Sequence, residues 1–205
     1  MTKILKFFKK GSPEYLKKKD LENREIVLQM YKNYLNEELF WDRYENDNPF
    51  KWLPEDRLKD RDFMEQLIEI SQWVLSYADD TLKNDRELVK KAVQSNGPPV
   101  LQAVNKRFQK DKEIVLLALK NNGMAIHCVH KSLLEDREVV LTAVKSDGMA
   151  LYELDTDDRI EFYIYDKEIL LEAVKNNRNV YKHLYPGSSV WNDPDIIKAS
   201  KRKNG

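Results

Sequence analysis

Residues 111–123 and 136–148 carry one pattern twice: an Asp, an acid two residues later, apolar residues three, four, seven and eight later, and a Gly at the twelfth. The copies begin 25 residues apart, at Asp111 and Asp136, and a fixed period of that order marks a stacked repeat array. The apolar positions are Ile114, Val115, Ala118 and Leu119 in one copy and Val139, Val140, Ala143 and Val144 in the next, one face of an α-helical period. Further copies start at Asp60 (Phe63, Met64, Leu67, Ile68), Asp85 (Leu88, Val89, Ala92, Val93) and Asp166 (Ile169, Leu170, Ala173, Val174). Fainter ones start at Asn23, with Ile26, Val27, Met30 and Tyr31, and at Asp193, with Pro194, Ile196 and Ile197.

Each Asp or Asn predicts an N-cap, because its side-chain oxygen can accept from the free N–H groups of the first turn. The acids two residues on, Asp62, Glu87, Glu113, Glu138, Glu168 and Asp195, complement the positive end of the helix dipole. Gly97, Gly123 and Gly148 are expected to end the helix in a left-handed residue. The Ala at the seventh position, Ala92, Ala118, Ala143 or Ala173, predicts a close helix crossing. Between each Gly and the next Asp, the stripes Leu75, Ala78, Leu82, then Leu101, Val104, Phe108, then Ile126, Val129, Leu133 predict a second, shorter helix. A three-turn helix cannot bury its own stripe, so the pairs must stack.

The run from Asp136 to Val144, with its Gly twelve residues after the Asp and a period near 25, resembles a family of short tandem α-helical repeats known only as a domain of unknown function. The likeness is strongest over residues 85–175 and extends over 60–200; Arg178 stands where the Gly after Asp166 would be, and the connection from Gly148 to Asp166 is enlarged. The resemblance implies a repeat fold and brings no catalytic residue.

With 35 basic and 35 acidic residues the chain lacks the basic surplus of a phosphate-backbone binder, and its 41% hydrophobic content suits a folded domain. The single cysteine, Cys128, excludes an intrachain disulfide and suits a reducing compartment. Lys3, Lys6, Lys9 and Lys10 interrupt any signal-peptide core, and no stretch reaches the length of a membrane span, so a cytoplasmic protein is expected. Ile4, Leu5, Phe7 and Phe8 could anchor at a membrane surface, but a helix closing the first repeat is the favoured reading. Tyr31, Tyr34, Phe40, Trp41, Tyr44, Phe50 and Trp52 read as an aromatic cap that can also carry a binding insertion.

Three features remain as candidate sites. His127, Cys128 and His130 form a ligand-type cluster, but with only His183 elsewhere a zinc site is disfavoured. Asp155, Asp157 and Asp158 lie in an acidic run with Glu153 and Glu161, on an inserted connection of the kind that often faces a partner; the calcium-loop Gly and terminal Glu are missing. Leu116, Leu141 and Leu171 recur at the fifth position, off the centre of the core stripe, where Asp85's copy has Lys90. They form either an exposed partner groove or packing against the adjacent unit.

The expected architecture is all-α, a right-handed solenoid-like stack of about six or seven short helix pairs. Residues 1–59 would form the aromatic N-terminal cap and divergent first repeat, and 60–205 the array, in one continuous domain. The expected function is a non-enzymatic protein-interaction or scaffold module with no cofactor and no metal. The candidate partner surface is Trp41, Trp52, Leu116, Leu141, Leu171, Asp155, Asp157 and Asp158. A nucleic-acid or membrane-surface binder using the basic termini, and a metal-dependent protein using His127, Cys128 and His130, are the disfavoured alternatives.

Overall fold

The structure, a computed structural model, describes residues 25, 27–29, 53, 55–69, 72–94, 100–157, 163, 165–180 and 192–201. The chain divides into two compact units, residues 1–95 and 96–205. Among the described residues every regular element is helical and there is no strand. The first unit holds α1 (Glu55–Leu58), α2 (Arg61–Ile68), α3 (Asp80–Lys83) and α4 (Arg86–Gln94), with a 3₁₀ segment Gln72–Tyr77 before α3. The second holds α5 (Lys112–Asn121), α6 (Arg137–Ser146), α7 (Lys167–Asn176) and α8 (Pro194–Lys201). Within it α5 packs on α6, α6 on α7, and α7 on α8.

Every apolar stripe position in the five strong copies is buried, with none more than 7% exposed. Their burial is the main stabilising term, since a fully buried aliphatic side chain contributes about 1.5–3 kcal/mol. In the faint copies Val27 is buried, while Ile26, Met30 and Tyr31 lie outside the described residues. The copy from Asp193 buries Ile196 and Ala199; Pro194 is exposed and Ile197 half-buried, so its stripe is narrower than expected.

The caps stand where the sequence puts them. Asp60 accepts from the Phe63 amide at 3.0 Å, Asp85 from Glu87 and Leu88, Asp111 from Glu113 and Ile114, Asp136 from Glu138, Asp166 from Glu168 and Ile169, and Asp193 from Asp195.

Among the described residues of the 96–205 unit, the second helix of the pair before α5, α6 and α7 is largely not α-helical, although Tyr163 before α7 is, as are Asn179 and Val180 after it. That second helix is a chain of 3₁₀ segments: Val100–Gln102 and Lys106–Lys110 before α5, Gly123–Cys128 and Lys131–Leu133 before α6, and Gly148–Asp157 before α7. Their bonds close over three residues, Ala103 to Val100 at 2.9 Å and Val129 to Ile126 at 3.0 Å, so side chains three apart point the same way. That buries the pairs Leu101 and Val104, and Ile126 and Val129. A second cap then resets the phase: Asp79, Asn105 and His130 accept from the amides two residues on. Because extended backbone intervenes at Val129 and His130, the stripe does not continue to Leu133; Leu134 is buried instead. The same capping position ties copies together, since the Asp79 amide donates to Leu58 O and the His130 amide to Gln109 O, both at 2.9 Å.

The glycines do a different job from the one expected. The helices end on Asn122 (φ −148°, ψ 101°) and Asp147 (φ −143°, ψ 114°), in extended rather than left-handed conformation. A Cβ on Gly123 would overlap the Ala143 carbonyl oxygen and lie 2.7 Å from the Asp147 amide. On Gly148 it would overlap the Ala173 carbonyl oxygen and lie 3.1 Å from the Asn177 amide. Each Gly thus admits the backbone of the following helix at its small Ala, which is what the alanines imply. The contact is locked by a side chain: Ser146 accepts from the Gly123 amide and donates to Lys120 O, while Asn176 accepts from the Gly148 amide and donates to Lys145 O. Arg178 in α7's copy is exposed, and Gly97 lies outside the described residues.

Gly→Ala at an unstrained site usually stabilises by about 0.4–1 kcal/mol. Gly123→Ala and Gly148→Ala are each expected to destabilise instead, by about 1–3 kcal/mol, because the overlapped atom is backbone. Urea titration of the two variants checks the sign; a raised midpoint in either would rule out the close approach.

Candidate interaction surface

A basic residue follows the cap in every strong copy: Arg61, Arg86, Lys112, Arg137 and Lys167. A cation in the first turn opposes the helix dipole, so its recurrence calls for a partner outside its own helix. In the 96–205 unit that partner is the cap of the next copy. Lys112 Nζ lies 2.6 Å from Asp136 and 2.8 Å from Glu138. Arg137 lies 2.7 Å from Asp166 and 2.6 Å from Glu168, and Lys167 lies 2.9 Å from Asp193 and 2.8 Å from Asp195. In the other unit Arg61 Nε donates to Asp85 at 2.8 Å. The Asp carboxylates are therefore divided. Oδ1 caps the Asp's own helix, and Oδ2 takes the cation of the helix before; at Asp166 the capping Oδ1 also accepts from Arg137 at 3.1 Å.

The charges respond accordingly. Lys112 holds the Asp136 carboxyl below its ordinary range, against the opposing effect of burial; Arg137 does the same for Asp166 and Lys167 for Asp193. At Asp85 burial pushes upward, and the Arg61 guanidinium with the Leu88 and Glu87 amides outweighs it. Exposed ion pairs add little stability on their own, so the ladder chiefly fixes which cap sits beside which cation. The +1 residues were the readable signal for it.

The leucine row lies beside this ladder. Leu116, Leu141 and Leu171 are half-buried on α5, α6 and α7, the three successively packed helices. Four residues further, on the same helix face, Lys120, Lys145 and Lys175 are exposed. At its α7 end the row opens into a groove of about 330 Å³ lined by Leu171, Lys175, Asp195, Lys198 and Ala199. A second hollow, about 470 Å³, is lined by Pro194, Ile197, Lys198 and Lys201. Lys175 pairs with Glu172 at 2.7 Å and Asp195 with Lys167, whereas Lys120, Lys145, Lys198 and Lys201 make no ion pair with any described residue.

The other candidates are not gathered here. His127 is exposed and its Nδ1–H donates to Met124 O at 2.6 Å. His130 is a cap, its Nδ1 accepting from the Ser132 amide at 3.2 Å; burial, with Lys110 and Lys131 nearby, lowers its pKa and keeps it in the neutral, accepting form. Cys128 is buried, and burial with the Glu153 charge pushes its thiol up to about 11. Among the described residues no three His, Cys, Asp or Glu side chains are grouped to hold a metal. Asp155 and Asp157 lie in the backbone of the 3₁₀ segment Gly148–Asp157. Their side chains, together with Asp158, Glu161, Trp41, Trp52, His183 and the residues expected to form most of the aromatic cap, lie outside the described residues. A buried tie that sequence reasoning missed is Tyr163, whose hydroxyl donates to Leu134 O at 2.6 Å. No described helix is long and apolar enough to cross a membrane.

In comparison with known families, the one described as "Domain of unknown function (DUF4116)" matches the chain in two tandem copies, at residues 60–109 and 111–159. The first span contains the copies headed by Asp60 and Asp85 and the second those headed by Asp111 and Asp136, so one such domain comprises two of the 25-residue units. No curated protein and no solved structure matches the chain.

Two outcomes follow from the charges and the thiol. A carboxyl held below its ordinary pKa contributes stability that is complete above about pH 4 and lost as pH falls through the lowered folded value. Asp166→Asn keeps one oxygen for capping and cannot hold Arg137 as a charge partner. It is expected to lower the urea midpoint at pH 7 in low salt, with the deficit shrinking as pH falls below about 4, where the wild-type carboxyl begins to lose its advantage; an equal deficit at pH 7 and pH 3 would place the effect elsewhere. Cys128, a protonated and buried thiol at neutral pH, is expected to react with iodoacetamide only when urea unfolds the chain, a comparison that mass spectrometry reads directly.

Proposed function

We propose that this chain, with its two tandem DUF4116 domains, is a non-enzymatic scaffold that binds another protein. In this reading its helix pairs stack as a right-handed solenoid behind an aromatic N-terminal cap, and it works in the cytoplasm, where a lone buried thiol stays reduced. The observation that carries the reading is the leucine row. Leu116, Leu141 and Leu171 recur on successive helices yet stay half-buried, while the neighbouring stripe positions are sealed. The core does not demand leucine there, since α4 has Lys90 in the same position. A repeated array offers an extended surface whose outer positions can be fitted to a partner without disturbing the stack.

The test is photo-crosslinking from the full chain in cells, with a photoreactive residue at position 116, 141 or 171 in turn. One protein captured at all three positions supports the scaffold, and Leu141→Glu is expected to weaken that capture at least tenfold while costing only about 1–2 kcal/mol of stability. Capture of nothing, or of nucleic acid or lipid alone, rejects it.

A further inference from the structure

Resting on the reading of the leucine row as a binding surface, we propose that the partner presents an acidic amphipathic helix. Its apolar anchors would lie on Leu116, Leu141 and Leu171 and in the groove between α7 and α8. Its carboxylates would meet Lys120, Lys145, Lys198 and Lys201.

Charge decides the sign of the partner. One edge of the row is the ladder, where each of Lys112, Arg137 and Lys167 faces two carboxylates, from Asp136 and Glu138, Asp166 and Glu168, and Asp193 and Asp195, so this edge is net negative. The other edge carries Lys120, Lys145 and Lys175, and the groove adds Lys198 and Lys201. Among the described residues only Lys175 of these is paired, with Glu172, and the acid lining the groove, Asp195, is held by Lys167. Uncompensated positive charge therefore lies on the lysine edge and at the groove, where a partner's carboxylates would sit, although the whole chain is balanced at 35 basic and 35 acidic residues. A phosphate backbone would satisfy the lysines and leave the leucines idle, whereas an acidic amphipathic segment uses both.

Spacing favours a helical partner. Packed helices lie about 8–10 Å apart, so the leucines should recur at about that interval. Seven residues of α-helix advance about 10.5 Å, which brings one anchor of a heptad pattern to each successive helix. The groove volumes of about 330 and 470 Å³ can take one further large apolar side chain beyond Leu171.

The probe is a fluorescent synthetic peptide of three heptads with Leu at every seventh residue and Glu flanking it, titrated into the full chain by anisotropy. A second peptide replaces each Glu with Lys. The acidic peptide is expected to bind, to lose about tenfold in affinity when salt rises towards 0.5 M, and to lose at least as much with the Lys120→Glu, Lys145→Glu, Lys198→Glu triple variant. These lysines are exposed, and an unchanged urea midpoint confirms that the variant is folded. The triple variant is expected to prefer the basic peptide. The proposal is overturned if the acidic peptide does not bind, if it binds no tighter than the basic one, if the triple variant binds it equally well, or if single-stranded DNA of equal charge displaces it as effectively as unlabelled peptide. Photo-capture of a protein at the leucines together with any of these failures would retain the scaffold and reject the acidic helix; absence of capture would reject the scaffold itself.

Discussion

One carboxylate shared between two helices organises the described array. Asp136, Asp166 and Asp193 each give Oδ1 to the amides of their own first turn and Oδ2 to the cation of the preceding helix. A ten-residue helix such as α6 is too short to stand alone in water, so it forms only where neighbours hold it. An Asn could cap, but it could not also hold an Arg or Lys as a charge. The Asp is thus chosen for both jobs at once, and the basic residue after it, unfavourable within its own helix, becomes favourable through the next.

Close approach at the opposite helix end completes the coupling. Gly123 and Gly148 have no side chain where the Ala143 and Ala173 carbonyls pass, and Ser146 and Asn176 bond back to the carbonyls that end the preceding helix. One end of each helix is registered by charge and the other by backbone contact. Between them the apolar stripe is sealed, leaving few outward positions that can change freely. The leucine row is one of these, and its regularity comes from the repeat that places it rather than from any demand of the core.

How much was legible can be judged residue by residue. The stripe positions and caps were readable because local periodicity and cap chemistry are properties of short stretches of chain. The 3₁₀ character of the second segment was not, since Leu101 and Val104, or Ile126 and Val129, have a spacing that both helix types allow. The switch of burial from Leu133 to Leu134 was unreadable for a related reason: two extended residues break the phase. His130 has a ligand's side chain, but it stands at the position of Asp79 and Asn105, and all three are caps, a role that depends on the backbone turn rather than on residue type.

By itself the sequence determined that this protein is built from helical units of about 25 residues, where each long helix begins, and which side it buries, because each follows from contacts within one or two turns. Only the tertiary structure decided why Gly stands after the helix, what the cation beside each cap is for, and which leucines keep an outward face. Those three answers depend on atoms from the neighbouring copy, roughly two dozen residues away along the chain, and no local pattern specifies how near such atoms come.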